Sequence, residues 1–339
     1  MECACLPLRA GARTLPSGRK LSGKVALVTG SSAMGIGREI AKQLHAMGAT
    51  VIISGRSQER CQAAGAAICE TSPGSGPVET LPMDLADFAS VRAAAATLEG
   101  RPLHFLVLNA GMLYYPGYRG PWVTADGYDY LYAANHLGHF LLTDMLLPQL
   151  KASAPARIVV MSSIGQWRAE VPLLLGRHPS LESTKDGLEL KSYCVSKLAN
   201  MLHAYELQRR LRAEGAGVTV TPVAPGLVAT EIFNPDRGQL DEPYRKAPAF
   251  LRKSAVEPPR GAETALHALL AEPPLEDGRW CVPYWTPAAL GETMQFKLEL
   301  WQKLVWGTRV AASCPRSYDE ELARKVWDFS MQAVGLTGG

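Results

Sequence analysis

The chain contains no CxxC pair, no run of Lys and Arg, and no apolar run near the ~18 residues of a membrane-spanning helix. Its 7 cysteines are scattered, with only Cys3 and Cys5 close together. That argues against a disulfide framework or a zinc site and for reduced thiols in an intracellular compartment. A formal net charge of +3 over 339 residues offers nucleic acid no basic footprint. The 7 histidines are spread as well. His136 and His139 stand three apart on an expected helix, but no Glu or Cys completes a ligand set, so they read as packing or solvent-facing residues and no metal is expected. What the chain does have is 47% hydrophobic against 20% charged residues, enough to bury a full core.

Residues 1–21 read as a polar N-terminal tail. Their basic bias is shared with transit-type segments, and they are too polar for a signal-peptide core. From Lys24 onward, short apolar runs alternate with longer amphipathic ones: "KVALVT", "TVIIS", "LHFLVLNAG", "ARIVVMSS" and "GVTVTPVAPG" read as strands, each followed by a helical stretch. Strands that are apolar throughout, in strict alternation with helices, predict an α/β fold: a single doubly wound Rossmann domain over residues 22–339. Its central sheet is mostly parallel, of about seven strands, with helices on both faces. Two long stretches break the rhythm, residues 164–192 and 227–260. Both follow the C-terminal ends of strands, where open α/β sheets bind ligands, and are expected to cover a substrate. Residues 286–318 are irregular, and five of the 7 tryptophans come after residue 279. Core packing is the default for such a stretch, and it is also a candidate for peripheral contact with a membrane surface.

The segment "TGSSAMGIG", Thr29 to Gly37, joins the first strand to the first helix. Glycines at a strand-to-helix turn let backbone N–H groups approach a phosphate. A triphosphate loop needs Lys and then Ser or Thr after its second glycine, but Ile36 and Gly37 stand there. The G-x-G-x-x-G spacing is not met either. At the end of the second strand, where NAD sites carry an acidic residue for the ribose 2′-hydroxyl, this chain has Gly55 and Arg56. A guanidinium there suits a 2′-phosphate and so NADP(H).

"YCVSK" carries the chemistry. On a helix Tyr193 and Lys197 share one face. An ammonium beside a phenol lowers the phenol's pKa of ~10 toward a working range, which makes Tyr193 a general acid/base. The preceding strand ends in Ser162 and Ser163, and a hydroxyl at Ser163 can hold a substrate oxygen beside Tyr193.

With these motifs in order, together with "MDL" at Met83–Leu85, "LNAG" at Leu108–Gly111, "NHLGHFLL" from Asn135 and "APG" at Ala224–Gly226, the chain resembles the short-chain dehydrogenase/reductase family. "TADGYDYLYAANHLGHFLLT" and the terminal "ARKVWDFSMQAVGL" resemble its retinol dehydrogenase and light-dependent protochlorophyllide reductase branch. The resemblance implies that Tyr193 donates and accepts the proton. It implies that Lys197 lowers the Tyr193 pKa and binds the nicotinamide ribose, that Ser163 orients the substrate, and that Asn135 holds a helix kink and a water linking Lys197 to solvent. It places Gly30, Gly35, Ile36 and Gly37 at the pyrophosphate, Asp84 and Leu85 around the adenine, and Asn109, Ala110 and Gly111 along the adenosine ribose. Pro225, Gly226, Val228 and Thr230 fall at the carboxamide. This chain departs from the family in having four residues between Gly30 and Gly35 where the family has three. The extra residue is expected to bulge near the adenosine end, with Ser31 or Ser32 reaching the 2′-phosphate.

The expected activity is NADP(H)-dependent hydride transfer between a small lipophilic aldehyde or ketone and its alcohol. A protochlorophyllide-type double-bond reductase and a cofactor-sensing protein without turnover are the alternatives. The family implies a homo-oligomer, although many members of this branch are membrane-attached monomers. The N-terminal anchor of those members is not expected in this chain, and a soluble or peripherally attached intracellular protein is expected.

Overall fold

The computed structural model describes residues 20–32, 34–72, 76–114, 120–177, 190–230, 232, 255–272, 280–283, 308–311 and 313–336. Most of the Trp-rich stretch, residues 178–189, and most of residues 227–260 lie outside them. Leu21 is buried and donates its N–H to the Met47 carbonyl.

Six strands arise from the apolar runs: β1 Val25–Thr29, β2 Thr50–Gly55, β3 Val78–Pro82, β4 Phe105–Leu108, β5 Ala156–Met161 and β6 Val218–Val223. β7 Trp280–Pro283 and β8 Thr308–Ala311 extend the sheet. Its order is β3-β2-β1-β4-β5-β6-β7-β8. The first seven strands run parallel and β8 pairs antiparallel with β7. The expected seven strands are thus joined by an antiparallel eighth at the edge.

Alternate residues of each strand enter opposite faces. Leu27, Ile52, Leu106 and Ile158 pack on one side. The helices there are α3 Phe88–Ala96, α5 Gly138–Ala152, α6 Leu190–Ala213 and α8 Glu320–Ala333. Ala26, Val28, Ile53, Val107 and Val159 pack on the other, under α1 Ile36–Ala46, α2 Gln58–Thr71 and α7 Pro258–Leu270. Side-chain caps start several helices: Ser57 accepts from Arg60 N–H, Asp87 from Ala89 and Ser90, and Asp319 from Leu322.

The strand order reverses between β1 and β4, so the loops after them part and leave a crevice beyond their carboxyl ends. The stretch "DGYDYLYAANHLGHFLLTDMLLPQL" forms α4 Tyr130–Tyr132, a π-helical segment Ala133–Leu137, and then α5. Gly138 follows the π segment because a Cβ there would lie 2.1 Å from the Leu85 carbonyl oxygen. The stretch after β5 is not a plain loop. It holds two 3-10 segments, Ile164–Arg168 and Val171–Leu175.

Candidate active site

A cavity of about 470 Å³ fills the crevice. At one end it is lined by Ser54, Gly55, Arg56, Ser57 and Arg60, and at the other by Met161, Ser162, Tyr193 and Lys197. The glycine turn lies between.

The turn is held by close approaches that leave no room for an added side chain. Gly30 has φ +67°, and a Cβ on it would sit 2.7 Å from the Ala110 Cα. A Cβ on Gly37 would lie 2.3 Å from Asn109 Nδ2. That amide donates 2.8 Å to the Thr29 carbonyl and ties the end of β4 to the end of β1. Gly30, Ser32, Gly35, Ile36, Gly37, Asn109, Ala110, Gly111, Asp84 and Leu85 all line the cavity, as expected from the sequence.

Ser31 does not. Its hydroxyl donates 2.7 Å to the Val28 carbonyl and accepts from the Ser54 N–H at 3.0 Å, and the residue is fully buried. The expectation that it reaches a 2′-phosphate is corrected: it stitches β1 to β2. Ser32 does face the cavity, packed over Gly55 and hydrogen-bonded to Cys61. Met34, half-exposed, stands at the cavity wall.

Sequence reasoning missed Arg60 and Tyr130. The Tyr130 hydroxyl receives a hydrogen bond from Arg56 Nη1 at 3.2 Å and lies 3.5 Å from Asp84 Oδ2. The other Asp84 oxygen accepts from the Ala86 N–H. Arg60 was legible only as a polar residue at the start of a helix; its place beside Arg56 depends on how α2 leaves β2.

At the far end, Tyr193 lies in the first turn of α6 and Lys197 one turn later. Ser163 follows β5 and hydrogen-bonds Tyr193. Its hydroxyl oxygen also accepts from the Gly165 N–H at 3.1 Å. The Ser162 hydroxyl donates to the Lys197 carbonyl, and the Asn200 amide donates to the Met161 carbonyl, so β5 and α6 are cross-linked around the site. Lys197 Nζ donates 3.2 Å to the same Met161 carbonyl. Asn135 sits in the π segment, which is the kink expected of it. Its side chain accepts from the Met112 N–H and donates to the Met112 carbonyl and to Ser196 Oγ.

One electrostatic expectation is overturned. Burial pushes the Tyr193 phenol up to about 12, with the Ser163 hydrogen bond pulling the other way and Cys194 adding to the rise. The Lys197 ammonium lies 5.5 Å from the centre of the phenol ring, and burial pulls its own pKa down to about 8. At neutral pH the pair is a phenol with its proton in place beside a lysine that still carries its charge, the protonation state of a proton donor.

The strand after Val223 turns at Gly226, with Pro225 and Thr230 lining the cavity. The Val228 side chain is turned away: it is buried, pairs with Val256 and packs against Gly261 at the start of α7. Ile232, from the second long stretch, joins the lining. No group of three or more His, Cys, Asp and Glu able to hold a metal occurs among the described residues. No helix among them is long and apolar enough to cross a membrane.

Comparison with known proteins agrees with this geometry. Residues 24–171 match the short chain dehydrogenase family. Retinol dehydrogenase 12 of Homo sapiens is 39% identical over 321 residues, covering 94% of this chain and 88% of its own length. A protein of Mycobacterium paratuberculosis superposes with a TM-score of 0.69 at 25% identity, covering 96% of this chain and 98% of its own. A short chain dehydrogenase from Burkholderia cenocepacia, solved in complex with NADP, gives a TM-score of 0.57 at 27% identity over 78% of this chain and 97% of its own. The chain therefore belongs to the short-chain dehydrogenase/reductase family, as a retinol dehydrogenase-like oxidoreductase acting on CH–OH groups.

Proposed function

We propose that this protein interconverts a lipophilic aldehyde or ketone, of retinoid-like character, and the matching alcohol with NADP(H), using Tyr193 as the general acid/base. The observation that carries the reading is that Tyr193, hydrogen-bonded to Ser163, and Lys197 line one end of a crevice whose other end holds two arginines, with the glycine turn between.

The crevice fits a dinucleotide. Gly30 and Gly37 leave room where a Cβ would collide with backbone or with Asn109, and the N–H groups opening α1 face that space. Arg56 and Arg60 offer cationic forks for a 2′-phosphate, and Arg56 stands directly after β2, where a carboxylate would repel one. The NADP complex of the Burkholderia cenocepacia relative supports the same choice. Retinol dehydrogenases among the relatives, and Ile232 in the cavity wall, support a lipophilic substrate.

When bound, the nicotinamide supplies or takes up hydride. The protein handles the proton and the oxygen. Ser163 and Tyr193 donate hydrogen bonds to the carbonyl oxygen as negative charge builds on it. Tyr193 then delivers its phenolic proton. Lys197 keeps a positive charge close by as the phenolate forms, which offsets the burial that otherwise opposes that anion.

The test is a cofactor-oxidation screen of lipophilic aldehydes and ketones, all-trans-retinal among them, run in parallel with NADPH and NADH. Turnover with NADPH well above that with NADH is expected. Tight NADPH binding with no turnover across the panel would overturn the reading.

A further inference from the structure

His139 is an ionisable side chain buried against the site that takes no part in the chemistry above. Its Nε2 lies 2.8 Å from the Thr29 hydroxyl and its Nδ1 lies 3.2 Å from the Asn135 backbone carbonyl. The donors and acceptors around it can be counted. Thr29 Oγ1 accepts from the backbone N–H of Asn109 at 2.9 Å and of Ala110 at 3.0 Å. Those two bonds fill both of its lone pairs. Its one proton has His139 Nε2 at 2.8 Å and the Val107 carbonyl at 3.3 Å within reach, and the shorter contact takes it. Nε2 is then an acceptor, the ring proton sits on Nδ1, and Nδ1–H donates to the Asn135 carbonyl.

The surroundings keep this ring neutral. Burial draws its pKa down to about 3, and the Lys197 ammonium and His136 act in the same direction, against the Asn135 hydrogen bond. His203, on α6, is the other ionisable group facing it, and it too is held neutral by burial. A charged ring would also carry a proton on Nε2, pointing at a hydroxyl oxygen with no lone pair left.

The ring joins three pieces of chain. Thr29 ends β1 directly before the glycine turn. Asn109 and Ala110 end β4 in the cavity wall. Asn135 clamps Met112 and Ser196, the neighbour of Lys197. We propose that His139 is a positioning residue of the oxidoreductase site, a neutral Nδ1–H bridge that fixes the glycine turn relative to the Asn135 segment and hence to Tyr193 and Lys197. This rests on the reading of Tyr193 and Lys197 as the catalytic pair.

Two measurements test it. Long-range proton–nitrogen correlation on the wild-type protein, with His139 assigned by substitution, reports the tautomer without any substrate. A neutral Nδ1–H ring from neutral pH down to about pH 5 is expected. An Nε2–H or charged ring overturns the bridge. In turnover of the best aldehyde from the screen, His139→Phe fills the same space without hydrogen bonds. Its kcat should fall about 10- to 100-fold while the NADPH Kd stays within about threefold. His139→Gln, whose amide can accept and donate, should recover most of that loss. Thr29→Val combined with His139→Phe should be no worse than either alone. Wild-type kcat in His139→Phe, no rescue by Gln, or additive losses overturn the positioning role. If His139→Phe fails to fold, the tautomer and the Gln and Val variants decide. A wild type with no turnover at all defeats the proposed function separately, while the tautomer still decides the bridge.

Discussion

The two ends of the crevice are built from different materials. Around the glycine turn, precision comes from backbone: Gly30 and Gly37 touch Ala110 and Asn109 where a single methyl group would not fit. Around Tyr193 and Lys197, precision comes from buried polar side chains that hold one another and the end of β5. On the proposed reading, the first arrangement meets a phosphate with backbone N–H groups. The second carries two groups whose pKa values burial has moved in opposite directions. Damage to the first should show in affinity, and damage to the second in turnover and pH dependence.

The sharpest break of that comparison is Tyr193→Phe. Removing the only proton donor at the reacting oxygen besides Ser163 should lower kcat about a thousandfold. The NADPH Kd, read by fluorescence titration, should stay unchanged, because Tyr193 lies at the far end from the arginines. Substantial residual turnover would mean that the acid/base assignment is wrong. Gly37→Ala is the converse. Its Cβ would lie 2.3 Å from Asn109 Nδ2 and 2.8 Å from the Gly30 carbonyl oxygen, so the turn must open. Overpacking of this kind costs about 1–3 kcal/mol, which raises the NADPH Kd about 10- to 100-fold. At saturating cofactor kcat should largely survive; a collapse of kcat with unchanged Kd would show that the two ends are not separable.

The same contrast explains what could be read from the sequence. Apolar runs announced β1, β2, β4, β5 and β6, since a strand buried on both faces needs little but apolar residues. Tyr193 and Lys197 were legible because their spacing is local to one helix. Ser31 was not: its orientation is decided by the Ser54 N–H, 23 residues away on β2. Val228 was misplaced for a similar reason, being drawn inward by Val256 and Gly261. The histidines of "NHLGH" looked like packing residues. Their burial bears that out, but the role of His139 emerges only when β1, β4 and the π segment meet. The phenol's pKa was misjudged because spacing reveals a neighbouring charge and hides the desolvation that outweighs it.

A smaller effect separates the arginines from the turn. Arg56→Ala removes one cationic fork and leaves Arg60 and the glycines intact. A charge-assisted hydrogen bond is worth about 1.5–3 kcal/mol, so kcat/KM with NADPH should fall about tenfold or more, while the value with NADH holds. Equal losses with both cofactors would place Arg56 in general support of the pocket and remove it from the 2′-phosphate.

The smallest effect is one of stability. Burial lowers Lys197 to about 8 in the folded protein, against ~10.4 in an unfolded chain. Between these values the unfolded chain holds more protons, so stability rises with pH across that window, and below it the full cost of the buried ammonium is present. Tyr193 works the other way. Its folded pKa of about 12 lies above the ordinary one, so its contribution is complete below pH ~10 and is lost as pH rises through the folded value. Lys197→Met removes the first dependence and keeps the second. By calorimetry the variant should melt about 2 °C above wild type at pH 7, with the gap closing by pH ~10. Gly37→Ala, at the end that does not titrate, should show a constant offset from wild type over the same range. A Lys197→Met protein less stable than wild type at pH 7 would mean that the hydrogen bond to Met161 outweighs the desolvation of the charge. The catalytic end would then be a source of stability and no longer a site held against its cost.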